Sequence, residues 1–530
     1  MTVLLRRSGA LPKDGSFGCW LAVTGTAVDL PASRHLPDLP RRLQTCFDGI
    51  RDAWLVLARD IGVSETGALT DTATGAAYIN DFGLMLAWSD LVRVLAGEEE
   101  RTLVVCDDPW LFRHLAALPG VDAGNPPLIW PVAVRLYLRG YASRLKLGLR
   151  LARTVRALKP TRRAAQPGNP AIVVYGHPKS DADGNDAYFG SLMKELPDLG
   201  RAIHVDCGAA RARELCRDGR SFSLHGWGSS LFAMSLLFVR WCPGENLTRL
   251  PESWLLRRAA AFENSGGALA MTRWQAHCQT RWIAATKPRV VAWPWENHPW
   301  ERSMARIAHK HGVLSIGYQH AVIGRHQFNF SPASNPDGDQ SLPDRIMCNG
   351  PAYRDQLVEL GYDPARLEIG GAFRISEHST AYRDPDGPVY VALSSITSIS
   401  RQMLDAVSAA GLSGIPFVVK DHPLYPVAVT ETPNLKRTPL TIPESAGLRA
   451  VLYSTGTTGL EGLLAGVPTY RFLPADRIAP DILPESVSVS ECTATETASV
   501  LTTPKASQPI EWAAIMSPVN LDLWRSTLAR

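Results

Sequence analysis

No stretch of this 530-residue chain approaches the roughly 20 consecutive apolar residues that a membrane-spanning helix requires. The most apolar window, residues 231–239, is bracketed by Trp227 and Trp241 and reads as a buried helix. No apolar segment follows Arg6 and Arg7, so a secretory signal is not expected. The nine cysteines are odd in number and scattered, and none stands in a CxxC or Cys/His ligand spacing. That pattern excludes a zinc module and a disulfide framework, and fits a reduced, cytoplasmic protein. The formal net charge is only +4, so the molecule is no polycation and any basic partner site must be local. Repeats and low-complexity segments are absent. Hydrophobic content of 45% against 20% charged residues argues for folded domains throughout.

One local absence is informative. Between Asp122 and Asp181 there is no acidic residue, while ten Lys and Arg residues lie from Arg135 to Arg163. Lys146, Arg150 and Arg153 share one helical face, and Leu147, Leu151 and Leu158 share another. A basic amphipathic helix of this kind suits peripheral contact, through residues 135–163, with the inner face of the cytoplasmic membrane. The alternative is a linker helix that packs its leucines on a neighbouring domain. Only Tyr137 and Tyr141 interleave aromatic rings with the cations, so no nucleic-acid partner is expected.

The chain divides accordingly. Residues 1–130 read as a separate α/β unit, with strands at 17–23 and 102–106, a helix at 39–61 and no catalytic signature. Residues 131–168 form the basic helical linker, closed by Gln166-Pro-Gly-Asn-Pro170. Buried strands then alternate with amphipathic helices over 169–380, at 171–175, 201–207, 288–295, 313–319 and 345–348. A turn-rich stretch at 383–388 leads into a second set within 381–530, with strands at 389–393, 416–420, 450–453 and 467–471. Such alternation implies parallel sheets covered on both faces. Two doubly wound domains in series place a ligand cleft between the carboxyl ends of their strands.

Two motifs sit at such strand ends. Lys420-Asp421-His422-Pro423 follows an apolar run, and Pro423 stops the strand. A Lys and a His there suit a phosphate leaving group, one as point charge and the other as hydrogen-bond donor or acid. In Ser454-Thr455-Gly456-Thr457-Thr458, hydroxyls and backbone N–H groups precede a helix and can hold an anion, and Glu461 can accept ribose hydroxyls. Strand capping and N-capping are the plainer explanations of either motif alone.

Across the cleft, Glu296 follows a buried strand within Trp293-Pro-Trp-Glu296-Asn297-His298-Pro299-Trp300-Glu301. Walled by tryptophans, its carboxyl is expected to be desolvated and raised in pKa, as suits a general base or acid. The next strand ends at Gln319-His320, which places His320 beside it. The loop from His177 to Asp186 carries three aspartates and is either a source of the base or nucleophile, Asp186 included, or a solvated turn.

Taken together, the Lys420–Pro423 and Ser454–Thr458 motifs resemble the donor-nucleotide half of GT-B glycosyltransferases, most closely enzymes using CMP-activated acids (sialic acid or Kdo) and their CDP-glycerol relatives. The stretch from Trp293 to His320, with Gly370-Gly-Ala-Phe-Arg374, is similar to bacterial surface-carbohydrate (O-antigen and capsule) glycosyltransferase-like proteins. The resemblance covers residues 170–480. It implies a GT-B fold of two Rossmann-like domains with the extra N-terminal unit. The implied activity is transfer from a nucleotide-sugar donor such as CMP-Kdo to a lipopolysaccharide, capsule or lipid-linked glycan acceptor, with CDP-polyol phosphotransfer or a non-catalytic scaffold as alternatives. Glu296, His320 or Asp186 would be catalytic. Lys420, His422, Pro423, Ser454, Thr455, Gly456, Thr458 and Glu461 would hold the donor, and Asn297, His298 and Arg374 are secondary candidates for the site. The sequence has no DxD beside such a site, and the resemblance implies neither metal nor cofactor.

Overall fold

The structure, a computed structural model, describes every residue except 1, 13–14, 26–27, 77–79, 376, 378–382, 412–413, 424, 446, 509 and 530. The expected domain boundary at 380–381 lies outside the described residues.

Three parallel sheets organise the chain. The first contains β1 (Val3–Arg6), β2 (Cys19–Ala22), β3 (Thr102–Val105) and β4 (Val121–Ala123), in the order β2-β3-β1-β4. The second contains β5 (Ala171–Val174), β6 (Gly200–Ile203), β7 (Ser221–Ser223), β8 (Val290–Pro294), β9 (Leu314–Gln319), β10 (Arg345–Cys348) and β11 (Leu367–Ile369). Its order is β11-β10-β9-β8-β5-β6-β7. The third contains β12 (Val389–Ala392), β13 (Phe417–Lys420), β14 (Leu435–Arg437), β15 (Ala450–Tyr453), β16 (Thr469–Leu473) and β17 (Ser490–Thr493). Its order is β14-β13-β12-β15-β16-β17. Strands such as Ala-Ile-Val-Val and Ala-Val-Leu-Tyr are buried along their whole length, because helices cover both faces of a parallel sheet.

In each of the two larger sheets the first strand lies centrally and the chain winds outward in both directions. The strand order therefore reverses between β5 and β8, and again between β12 and β15. These switch points open a crevice at the carboxyl edge, where such sheets bind ligands. Close packing beside the first crevice depends on Gly317. Its position pairs with Trp293 in the β8–β9 register. A Cβ there would lie 2.9 Å from both Pro343 and the Trp295 ring.

The N-terminal unit is not separate, as expected from sequence, but shares its core. Trp54, Trp88 and Phe47 pack in one cluster with Trp241, Leu255, Leu256, Phe328 and Ile478. It also touches both larger domains through charge. Asp48 lies 2.6 Å from His326, and Arg41 lies 2.7 Å from Glu496. The chain end likewise leaves the third sheet and returns to the second. Trp524 is fully buried there and donates its indole N–H to the Gly370 carbonyl at 3.0 Å. The C-terminal domain thus ends before the tail that the sequence reading assigned to it.

Residues 131–168 are mostly one helix, Ile129–Leu158, followed by a 3-10 turn at Lys159–Ala164. Leu147, Leu151 and Leu158 are buried against the second domain, while Lys146, Arg150 and Arg153 are exposed. The 231–239 window corrects another expectation: it is a short helix, Ser230–Ser235, and a 3-10 turn, with Leu231 and Phe238 left in solvent. Among the described residues no helix is long and apolar enough to cross a membrane.

Candidate active site

Glu296 leaves β8 at the first switch point, on a turn built with unusual backbone geometry. Asn297, fully buried, adopts the left-handed conformation with φ of 58°. A non-glycine residue holds that region only when its surroundings enforce it. Here they do. Glu301, one turn into the helix Pro299–Lys310, accepts the N–H groups of Glu296 at 2.6 Å and Asn297 at 2.8 Å. The Asn297 amide donates to the Asn329 carbonyl and to Asn335, at 2.7 and 3.0 Å. Asn329 in turn donates to the Glu296 carbonyl at 2.6 Å, and the buried Arg302 guanidinium donates to the Asn297 carbonyl at 3.0 Å.

This scaffold presents the Glu296 carboxylate, its side chain still 30% exposed, to two imidazoles. Oε2 lies 2.9 Å from His298 Nε2 and Oε1 lies 3.5 Å from His320 Nε2. Arg374 approaches His320 Nδ1 at 3.2 Å. A guanidinium only donates, so Nδ1 accepts and the Nε2 proton points to Glu296. Arg374 also lies 5.2 Å from the centre of the Tyr188 ring, whose edge meets His320 at 5.0 Å.

The electrostatics reverse one expectation. Burial raises the Glu296 carboxyl, but the hydrogen bond from His298 and the neighbouring His320, His298 and Arg374 outweigh it and hold the pKa at about 2. The tryptophans expected to wall this carboxyl are instead buried in the core, and Trp300 donates to the Tyr175 hydroxyl at 3.1 Å. Burial lowers His298, but its bond to Glu296 and the charges of Glu296, Glu301 and Asp71 lift it to about 9. His320 goes the other way: burial, only partly opposed by Glu296 and reinforced by Arg374 and His298, lowers it to about 4. Glu301 is pushed up to about 8 by burial and by Glu296, against His298 and its two backbone bonds. At neutral pH the cluster therefore holds an ionised carboxylate, one imidazolium and one neutral imidazole. That combination sets a proton-donating imidazolium and a proton-accepting carboxylate side by side.

Asp186 does not join this cluster. Its side chain is buried and accepts the N–H groups of Tyr188 at 2.8 Å and Phe189 at 3.3 Å, and the Ser180 hydroxyl at 3.1 Å. Asp181 similarly accepts from Asp183 and Asn185. Asp181 and Asp186 brace their own loop, the second of the two roles expected of it, and Asp186 stands apart from the Glu296 cluster.

Lys420, the last residue of β13, reaches the Pro439 carbonyl with its ammonium. Asp421 pairs with Arg437 at 2.6 Å. His422 heads the turn that Pro423 continues, and its ring lies 5.3 Å from Tyr425. Ser454 is fully buried and donates to the Phe472 carbonyl at 3.0 Å, inside the domain. Thr455 does stand at the second switch point, 2.8 Å from the Ser394 hydroxyl at the end of β12. Gly456 follows with φ of 128°, and a Cβ there would meet nothing within 4 Å. That is the open, left-handed turn glycine permits. Thr458 starts the helix Thr458–Leu464, and Glu461 lies 3.4 Å from the Thr457 hydroxyl. The Glu444 carboxylate, held low by hydrogen bonds from Thr441, also feels Lys420 and Lys179. Lys179, in the loop after β5, and Lys420, at the end of β13, thus act on the same carboxylate. Ser394 escaped the sequence reading, although the end of the first strand in a doubly wound unit borders the switch point.

Two doubly wound, Rossmann-like parallel sheets in series give the α/β, GT-B type of fold expected from sequence. No family model and no curated protein matches the chain. Among solved structures it is similar to Arabidopsis thaliana UGT89C1 complexed with UDP, at 12% identity over 68% of this chain and 100% of that one, TM-score 0.40. It is also similar to the glycosyltransferase SnogD from Streptomyces nogalater, at 13% identity over 69% and 100%, TM-score 0.35. The UDP-GlcNAc 2-epimerase from Methanocaldococcus jannaschii matches at 10% identity over 68% and 100%, TM-score 0.37. The fold assignment rests on the two strand orders.

Proposed function

We propose that the chain transfers a glycosyl group from a nucleotide-activated donor to a hydroxyl of a glycan acceptor. The observation that carries this reading is the placement of Glu296, held by the left-handed Asn297 turn at one switch point, 2.9 Å from His298 and 3.5 Å from His320. In this reading the acceptor hydroxyl approaches Glu296, and its proton passes into the carboxylate–imidazole cluster as the oxygen attacks the donor's anomeric carbon. Lys420, His422 and the Thr455–Thr458 turn stabilise the departing nucleotide phosphate by preorganised charge and hydrogen bonds. The resemblance of these motifs to enzymes of CMP-activated acids favours a CMP-sugar such as CMP-Kdo, with a surface polysaccharide or lipid-linked glycan as acceptor. A cavity of about 440 Å³ at the junction of all three units suits a hydroxyl-rich acceptor. Asp71, Asn80, Arg139, Glu263, Ile396 and Arg477 contribute to its lining. Asp71 also contributes to the field on His298.

Nucleotide release by Glu296→Ala and His422→Ala proteins tests the reading. Both are expected to lose at least about 100-fold in turnover, in line with removal of an acid–base or charge-stabilising group. Near-wild-type turnover in both would overturn it. A thermal-shift panel of CMP, CDP, UDP and GDP identifies the donor base, since a ligand at 100 times its Kd stabilises by about 2.7 kcal/mol. Product mass separates glycosyl transfer from polyol-phosphate transfer, because only the latter adds phosphorus to the acceptor.

A further inference from the structure

The long helix Ile129–Leu158 has three faces. Leu136, Leu147, Leu151, Val155 and Leu158 turn inward. Arg135, Arg139, Lys146, Arg150 and Arg153 form an exposed cationic face. On the third, Trp130, Val134, Leu138, Tyr141, Leu145 and Leu149 recur at helical spacing and remain between 38% and 66% exposed.

A second element extends this apolar stripe. The segment holding Leu231 (84% exposed) and Phe238 (78% exposed) is fixed to the helix. Ser230 donates to the Ala152 carbonyl at 3.3 Å, and Arg144 donates to the Leu237 carbonyl at 3.1 Å. A predominantly apolar groove of about 430 Å³ adjoins the helix, with Val134, Tyr137, Trp241 and Ala260 on its walls and Arg240 and Arg257 beside them. The Arg240 guanidinium lies 5.0 Å from the centre of the Tyr137 ring. Single exposed apolar residues are ordinary, but a contiguous patch from two elements marks an interaction surface.

Charge selects the occupant. The whole stretch between Asp122 and Asp181 supplies cations and no carboxylate, which matches a surface of one sign. Trp130, Tyr137 and Tyr141 carry the apolar body and polar tip that settle at headgroup depth. We propose that this face docks on an anionic lipid bilayer. The Trp and Leu side chains enter the headgroup–acyl boundary, and the flanking Arg and Lys residues meet lipid phosphates. The inference rests on the exposure and charge of this face and is independent of the transferase reading.

Flotation of the full-length protein with extruded vesicles decides it. Binding is expected to phosphatidylcholine vesicles containing phosphatidylglycerol, to be weakened by high salt, and to be minor on phosphatidylcholine alone. A Trp130→Ser/Leu138→Ser/Phe238→Ser variant, altered only at exposed positions, should partition at least about tenfold more weakly with an unchanged Tm. Failure of the wild-type protein to float with anionic vesicles would overturn the proposal, as would undiminished binding of the triple variant. Equal binding to both vesicle types would also sink it. Sedimentation velocity covers the remaining occupant: a dimer that the triple variant dissolves would make this a self-interface and overturn lipid docking.

Discussion

Replacing Glu301 by Gln isolates one carboxyl of the site by its pH signature. The Glu301 side chain is buried, with one oxygen receiving the two backbone N–H groups of the strained turn and the other without a partner. Its folded pKa is pushed from 4.5 up to about 8, chiefly by burial and by Glu296. Between those values the folded form binds more protons than the unfolded chain, so this group's stabilising contribution is complete below 4.5 and is lost as pH rises towards 8. One pKa unit corresponds to about 1.4 kcal/mol, so even half of the displacement amounts to roughly 2 kcal/mol by pH 9. Gln keeps an acceptor for both N–H groups but cannot ionise. We expect Glu301→Gln to match the wild-type Tm at pH 5 and to exceed it at pH 9. For a loss of about 2 kcal/mol the excess is about 2 °C if the whole chain unfolds together and about 5 °C if a unit of roughly 200 residues unfolds alone. Parallel Tm–pH curves for the two proteins would refute the assignment. Glu301→Ala supplies the contrast. It leaves two buried donors unpaired, at about 1–3 kcal/mol each, and should be destabilised at both pH values.

Two further outcomes follow from the geometry. Asp186→Asn should keep wild-type turnover under conditions where it is folded, while lowering Tm through weakened charge-assisted bonds to the 180–189 loop; a turnover loss with an unchanged Tm would return Asp186 to the catalytic group. Gly324→Ala places a Cβ 2.3 Å from the Asp481 carbonyl, so the 321–327 loop must shift off the third domain at a cost of about 1–3 kcal/mol. A differential scanning calorimetry trace superimposable on wild type would contradict that close approach.

The fold was legible wherever burial left its mark on consecutive residues. β5, β8, β12, β13 and β15 are apolar runs ending in polar residues, so both the strands and their ligand-binding ends could be read. Short or polar strands escaped: Ser221–Ser223 and Leu367–Ile369 gain their status only from a paired neighbour. The central strand of the first sheet, Val3–Arg6, was read only for the absence of a signal segment. At the site, Glu296 and His320 were legible because each follows a buried strand. What fixes Glu296 was not. Asn329 and Asn335 come from more than 30 residues away, and nothing in their spacing foretells that they converge with the nearby Arg302 on a left-handed Asn297. A different set of neighbours reversed the expected pKa. Tryptophans close in sequence turned into the core, while His298, His320 and Arg374 supplied the field. Ser454 and Asp186 show what spacing cannot display, that a polar residue at a strand end or in a loop can spend its hydrogen bonds on its own domain.

The shared core of the N-terminal unit has a consequence for biosynthesis. Trp54, Trp88 and Phe47 leave the ribosome early, but part of their packing is supplied by Trp241, Leu255, Phe328 and Ile478. At about 5–20 residues per second, the last of these follows β4 by tens of seconds. Throughout that interval the nascent first sheet carries apolar surface that only later residues can cover. The opening 130 residues are therefore expected to need chaperone cover during translation and to aggregate when expressed alone. Their native state is completed from the far end of the chain.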